Sequence, residues 1–222
     1  MTRIAIVADL LEEQWPSMDL VANSLMAQLH QLASAANVHV EMLRPTLATR
    51  GRRIGRYLNR FWDYPAWLRQ YADAFDVFHV IDHSYAHLVH VLPAARTVVT
   101  CHDIDAFMPV LQPRIIRSRL PKTITRRVLS GMQKAAFVLC DSRATYDDVR
   151  RFELVGEERL AVVHNGVDEA FSAWADPAAD AAVDRLLGAR SDALELLHVG
   201  TTIPRKRIDQ LLEVVAAIRA VR

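Results

Sequence analysis

Short apolar runs and helical repeats alternate from Arg3 to His164, and that rhythm leaves few folds open. Arg3–Ala8 (RIAIVA) is apolar at nearly every position, as a strand buried on both faces of a parallel sheet must be. Val38–Met42, Val77–Ile81, Thr97–Cys101, Ala136–Cys140 and Leu160–His164 read as further strands, the last closed by the turn pair Asn165-Gly166. Ser17 stands where it can cap a helix carrying Val21, Leu25, Leu29 and Leu32 at helical spacing. Residues 52–74 look helical with a break at Pro65, and 84–92 read as a short helix. A helix from about Pro121 places Ile124, Val128 and Met132 on one face, and Ser142 caps a helix with Tyr146, Val149 and Phe152. Strands alternating with helices in this way predict an α/β domain built on a doubly wound parallel sheet.

The tail departs from that pattern. Residues 173–192 read as a connecting helix or linker, Leu194–Val199 as a fresh strand, and the last helix carries Ile208, Leu211, Leu212, Val215 and Ile218 on one face. One strand and one helix have two apolar faces to bury and little to bury them against. They either join the edge of the first sheet or open a second domain.

Composition narrows the functions. The seven glycines lie at 51, 55, 131, 156, 166, 188 and 200, with no Gly-x-Gly among them. That excludes a Walker loop and a dinucleotide fingerprint, both of which need clustered glycines to bring backbone N–H groups to a phosphate. Cys101 and Cys140 each end an apolar run and read as buried free thiols of a reducing compartment. No charged-then-apolar leader and no apolar stretch of roughly 18 residues is present, so the expectation is a cytoplasmic protein, at most peripheral on the inner face of the membrane.

Several side-chain groupings carry chemistry. His102-Asp103 follows the strand TVVTC, at the carboxyl end where open α/β sheets bind ligands; a capped strand terminus is the alternative. His83, His87 and His90 fall at i, i+4 and i+7, a spacing zinc accepts, but no Cys accompanies them. Histidines bonded to backbone or water are the reading taken, with His83 set apart as a ligand contact. Pro204-Arg205-Lys206-Arg207 puts cations beside a helix N-terminus, against the local dipole, which favours an anion site over a solvated charge run. Asp9, Glu12, Glu13 and Asp19 lie near the end of the first strand, where exposed acids at a helix start explain them equally well.

Net charge is +1, yet residues 44–70 carry +6 and 112–134 carry +7, leaving the other 172 residues at −12. Trp62, Trp67, Tyr57 and Tyr64 lie in the first segment. Such surfaces suit peripheral contact with an anionic membrane or a polyanionic acceptor, and solvated helix faces are the alternative. No base-reading module accompanies the charge, so nucleic acid is not an expected partner.

Five segments, HVIDHSYAHL (79–88), TVVTCHDIDAF (97–107), VLCDSRATYDDV (138–149), VVHNGVDEAF (162–171) and LLHVGTTIPRKRIDQLLEVVAAI (196–218), together resemble a family-4-type glycosyltransferase of the GT-B fold. The resemblance implies a Rossmann-like N-terminal acceptor domain over 1–172, a connector over 173–192, and at 193–222 the first β-α unit of a Rossmann-like donor domain. It implies retaining hexosyl transfer from a nucleotide sugar to a glycan or lipid-linked acceptor, with no bound metal and no cofactor. His102 would be the catalytic residue contacting the transferred sugar or acceptor, with Arg205 and Lys206 gripping the donor diphosphate. Ser17 and Met18 would offer backbone N–H groups to that phosphate in place of the family's usual glycines. His83, Asp103, Ser142 and Asn165 would contact acceptor or sugar. The family's donor domain needs about 150 further residues, including a Glu-x7-Glu stretch. The expectation is therefore a chain that stops early, inactive alone or completed by a partner chain. The alternative is a non-catalytic module binding an acceptor or a membrane surface.

Overall fold

The computed structural model describes residues 1–48, 53–112, 119–167, 173–188, 196–200, 202 and 206–221. It divides into two units, Met1–Ala170 and Phe171–Arg222. In the first, β1 (Thr2–Val7), β2 (Val38–Leu43), β3 (Val77–Val80), β4 (Thr97–Cys101), β5 (Phe137–Cys140) and β6 (Leu160–Val162) form one sheet. Its order is β2-β1-β3-β4-β5-β6, every neighbouring pair parallel. The chain runs from β1 outward to β2 and returns to β3 on the other side of β1. Winding therefore reverses between β1 and β3, and such a reversal opens a crevice at the carboxyl ends of the two strands.

The six expected strands all form, and strand alternation explains their apolar runs. Ala5 and Val7 join one core with Phe78, Val80, Val99, Cys101 and Val138, while Ile6 and Ala8 join a second core with Ala22, Val40 and Ile81. Each large side chain so buried contributes roughly 1.5–3 kcal/mol. Cys101 and Cys140 are buried free thiols opposite each other in register, and burial pushes both thiols up, Cys140 to about 11.

Helix α1 (Pro16–Ala36) covers the second core through Ala22, Leu25, Met26 and Leu29. Two expectations fail here. Trp15, not Ser17, is the N-cap, because Pro16 fills the first helical position, where its missing N–H costs nothing. Leu32 is 58% exposed, since a 21-residue helix of about 31 Å outruns six-residue strands of about 20 Å.

The expected break at Pro65 is also absent. Helix α2 (Arg53–Leu58) passes through a π-helical stretch, Asn59–Asp63, into α3 (Tyr64–Leu68) and a 3-10 turn, Arg69–Tyr71. The wider turn leaves Pro65 in the first turn of α3, where a proline is tolerated. His83–His90 is a 3-10 helix rather than an α-helix, so His87 and His90 align at three residues per turn and His83 does not share their face.

Helix α4 (Met108–Leu111) precedes α5 (Arg119–Lys134), which buries Val128, Leu129 and Met132 as its spacing predicts. Where α5 crosses the 83–90 turn, a β-carbon on Gly131 would lie 2.0 Å from the Ala86 carbonyl oxygen, so only glycine fits. Ser142 does cap α6 (Arg143–Arg151), its Oγ accepting the Thr145 N–H at 3.1 Å.

The second unit holds α7 (Pro177–Leu187), capped by Asp176, and α8 (Ile208–Val221). Leu196–Val199, the described part of the seventh expected strand, is exposed and outside any strand. Among its described residues none is buried, and Leu211, Leu212, Val214 and Ile218 of α8 stand exposed.

Candidate functional site

The β1/β3 crevice is lined by acids that continue the two strands. Asp9 lies two residues after β1, Asp82 two residues after β3, and both are buried. Burial above all, then the Asp82 charge, pushes the Asp9 carboxyl up to about 9. Burial works the same way on Asp82, but His83 and two hydrogen bonds from Ser84 outweigh it and hold that carboxyl below the usual range. Ser84 donates its N–H at 2.8 Å and its hydroxyl at 2.6 Å. The two shifts run in opposite directions, favouring the proton on Asp9 and the charge on Asp82, and neither Asp9 oxygen has a hydrogen-bond partner among the described residues.

Arg60 closes this group from the π-helical stretch. One Nη donates to the Ser84 carbonyl at 2.5 Å and hydroxyl at 2.8 Å, the other reaches Glu13 at 3.5 Å, and the guanidinium lies 4.1 Å from the Tyr85 ring centroid. The Tyr85 hydroxyl accepts the Leu10 N–H at 3.2 Å and faces Glu13 at 3.4 Å. Glu12 accepts from Asn59 Nδ2 at 3.0 Å, and Asp19 pairs with Arg44 at 2.8 Å. Glu12, Glu13 and Asp19 are thus tied to an asparagine and two arginines, while Asp9 is not. Sequence reasoning left them open between site carboxylates and exposed acids at a helix start; what it lacked was their partners, which lie 25 to 47 residues away in the chain.

Four residues expected at the site come together beside this group, at the ends of β3 to β6. His102 has both ring nitrogens engaged, Nδ1 with Asp141 at 2.9 Å and Nε2 with the Ile81 carbonyl at 2.8 Å. Its backbone N–H donates to His83 Nδ1 at 3.3 Å, which leaves the second His83 nitrogen as N–H, 3.6 Å from Asp103. Burial lowers the His83 imidazole, against the Asp82 and Asp103 charges, which raise it. Asn165 donates to Asp141 at 3.5 Å. Asp141, which no sequence signal singled out, therefore joins His102 to Asn165, and Ser142 follows it as the α6 cap.

The remaining expected residues lie apart or outside. Met18 donates its N–H to the Trp15 carbonyl at 3.0 Å, because the first turn of α1 already claims it, and Ser17 is exposed. Lys206 is exposed two residues before α8, and Arg205 lies outside the described residues. The other histidines bond elsewhere: His79 to Thr100, His87 to the Arg60 carbonyl, His90 to Arg127 and Ser130. Burial drives His79 down to about 4 and His87 to about 3.

A family model described as Glycosyltransferase Family 4 matches residues 20–171, which is more than half of the chain. The chain belongs to Glycosyltransferase Family 4. That match covers α1 from its second turn onward, five of the six strands and every polar group of the crevice except those before residue 20. Among solved structures, the Anabaena protein Alr3699/HepE, crystallised with UDP and glucose, aligns at 16% identity and a TM-score of 0.49. The alignment covers 85% of this chain and 50% of that one, so the Family 4 chain described here spans half the length of HepE. No curated protein is similar enough to this chain to count as a match.

Proposed function

We propose that this Family 4 chain forms the acceptor side of a glycosyl-transfer site, acting on a hexosyl nucleotide sugar and a glycan or lipid-linked acceptor. The observation that carries the reading is the polar seam at the winding reversal, where Asp9, Asp82, His83, His102 and Asp141 converge in a domain of this family. In the proposed step an acceptor hydroxyl oxygen bonds to the anomeric carbon while the carbon–oxygen bond to the diphosphate breaks. The acceptor proton leaves with the departing nucleoside diphosphate, and configuration is retained. Asp141 and the Ile81 carbonyl hold the His102 ring at the strand ends through both of its nitrogens, so in the proposed step Nε2 exchanges the Ile81 carbonyl for a sugar hydroxyl while Asp141 keeps the ring oriented. Lys206 and Arg205 supply the cations for the diphosphate. A second reading, acceptor binding without turnover by this chain alone, is favoured by the apolar side chains that α8 leaves exposed.

Nucleotide-sugar titration tests the proposal. A donor at about 100 times its Kd stabilises the folded chain by about 2.7 kcal/mol, which a melting curve reads directly. Lys206→Ala should remove that protection while leaving the unliganded melting temperature nearly unchanged, because the side chain is exposed. An equal loss without ligand would make Lys206 structural. No response to any of UDP-, GDP- or ADP-hexoses would overturn the donor reading.

A further inference from the structure

Beside the polar seam lies a cavity of about 410 Å³ between the 53–71 helix and α5, and its walls point to one kind of occupant. Tyr57, Phe61, Ile124 and Val128 make its apolar lining, and Phe61 is fixed there against His87 at 4.5 Å and Tyr57 at 5.2 Å. Most polar atoms at the lining are already committed. Arg60 serves Ser84 and Glu13, the Ser84 hydroxyl serves Asp82, and Thr125 Oγ1 donates to the Ala106 carbonyl. The lining group exposed to solvent and positively charged is Arg56.

The apolar lining continues outward. Ile54 (74% exposed), Tyr57, Leu58 and Trp62 (75% exposed) recur at i, i+3, i+4 and i+8, an unburied stripe along the helix that carries Arg56. Tyr57 belongs to both cavity and stripe. A helix that turns such a stripe to solvent between cations is shaped for an amphiphile. A free polyhydroxylated glycan would need several uncommitted hydrogen-bonding partners, and this lining offers few.

We propose that the cavity binds an acceptor carried on an anionic lipid, its phosphate on Arg56 and its hydrocarbon chain along Tyr57, Phe61 and the stripe to Trp62. This rests on the acceptor reading above and selects the lipid-linked class within it. The probe is dodecyl phosphate below its micelle concentration, titrated calorimetrically into the full chain, with dodecyl maltoside as the uncharged counterpart. The phosphate should bind at least tenfold tighter than the maltoside, with a blue shift in emission that Trp62→Phe removes. Arg56→Glu should cancel the preference for phosphate, and Tyr57→Ser should weaken both probes, each with a melting temperature close to the parent's. Equal affinity for the two probes, full displacement by equimolar inorganic phosphate, or binding unchanged in Arg56→Glu would overturn the proposal. Binding to phosphatidylglycerol vesicles that neither variant weakens, without dodecyl phosphate binding, would assign the stripe to a bulk membrane surface and overturn it too. Neither probe is a sugar donor, so this experiment and the nucleotide-sugar titration fail independently.

Discussion

Asp9 shows how one residue's chemistry follows from its place at a strand end. It is 3% exposed, faces a second acid and holds its proton, with a folded-state value near 9 against an ordinary 3.8. The folded chain therefore binds a proton that the unfolded chain has released between those limits. The stability contributed by protonated Asp9 is fully present below about pH 3.8 and is lost progressively as pH rises toward 9. Asp9→Asn keeps the shape and removes the ionisation. The variant should melt at or above the parent at pH 8.5, with the advantage shrinking toward pH 5; a gap independent of pH would mean Asp9 is not the titrating group. Ser142 allows a similar separation of roles. Ser142→Ala should cost about 1 kcal/mol as a lost cap, and Ser142→Asp should restore it. Ligand affinity that falls in both variants, beyond the stability change, would mark Ser142 as a contact as well as a cap.

Elements meet at distances that composition does not announce. Gly131 is an unremarkable helical glycine in the sequence, yet α5 crosses the 83–90 turn there with no room for a methyl group. Gly131→Ala should therefore destabilise by about 1–3 kcal/mol or more through overpacking, against the gain of up to about 1 kcal/mol that alanine brings to an open helix. A melting temperature that rose would show α5 free to move aside. The 83–90 segment packed under α5 winds as a tight 3-10 helix, which sets His83 off the face that His87 and His90 share. The π-helical turn at Asn59–Asp63 is a second such case. Periodicity showed a helix and a proline, but only the packed structure shows how the wider turn absorbs Pro65 and aims Arg60 at Ser84.

For the whole molecule, stability and liganding are unevenly distributed. Every buried residue of the described core lies between Ala5 and Leu160, inside the first unit. A chain ending at Ala170 should keep the melting temperature of the full chain within a few degrees and retain the pH dependence set by Asp9. A collapse of cooperative unfolding on that removal would show that the second unit contributes to the core. Nucleotide-sugar protection, in contrast, should be lost with residues 171–222, because Arg205 and Lys206 go with them. No helix among the described residues is long and apolar enough to cross a membrane.

The six strands of the first unit, their parallel sheet and the α6 cap were readable from residue order, because a strand buried on both faces and a capped helix are local demands on composition, whereas the seventh expected strand did not form over Leu196–Val199. The positions of His102, His83, Asp103 and Asn165 were legible for the same reason: each follows a strand, and strand ends in such a sheet converge. The Asp9–Asp82 pair, the Arg60 clamp and the link through Asp141 were not. Their energies depend on burial and on partners distant in the chain, and desolvation has no signature in a sequence; it exists only once the sheet has brought two acids to one crevice and shut water out.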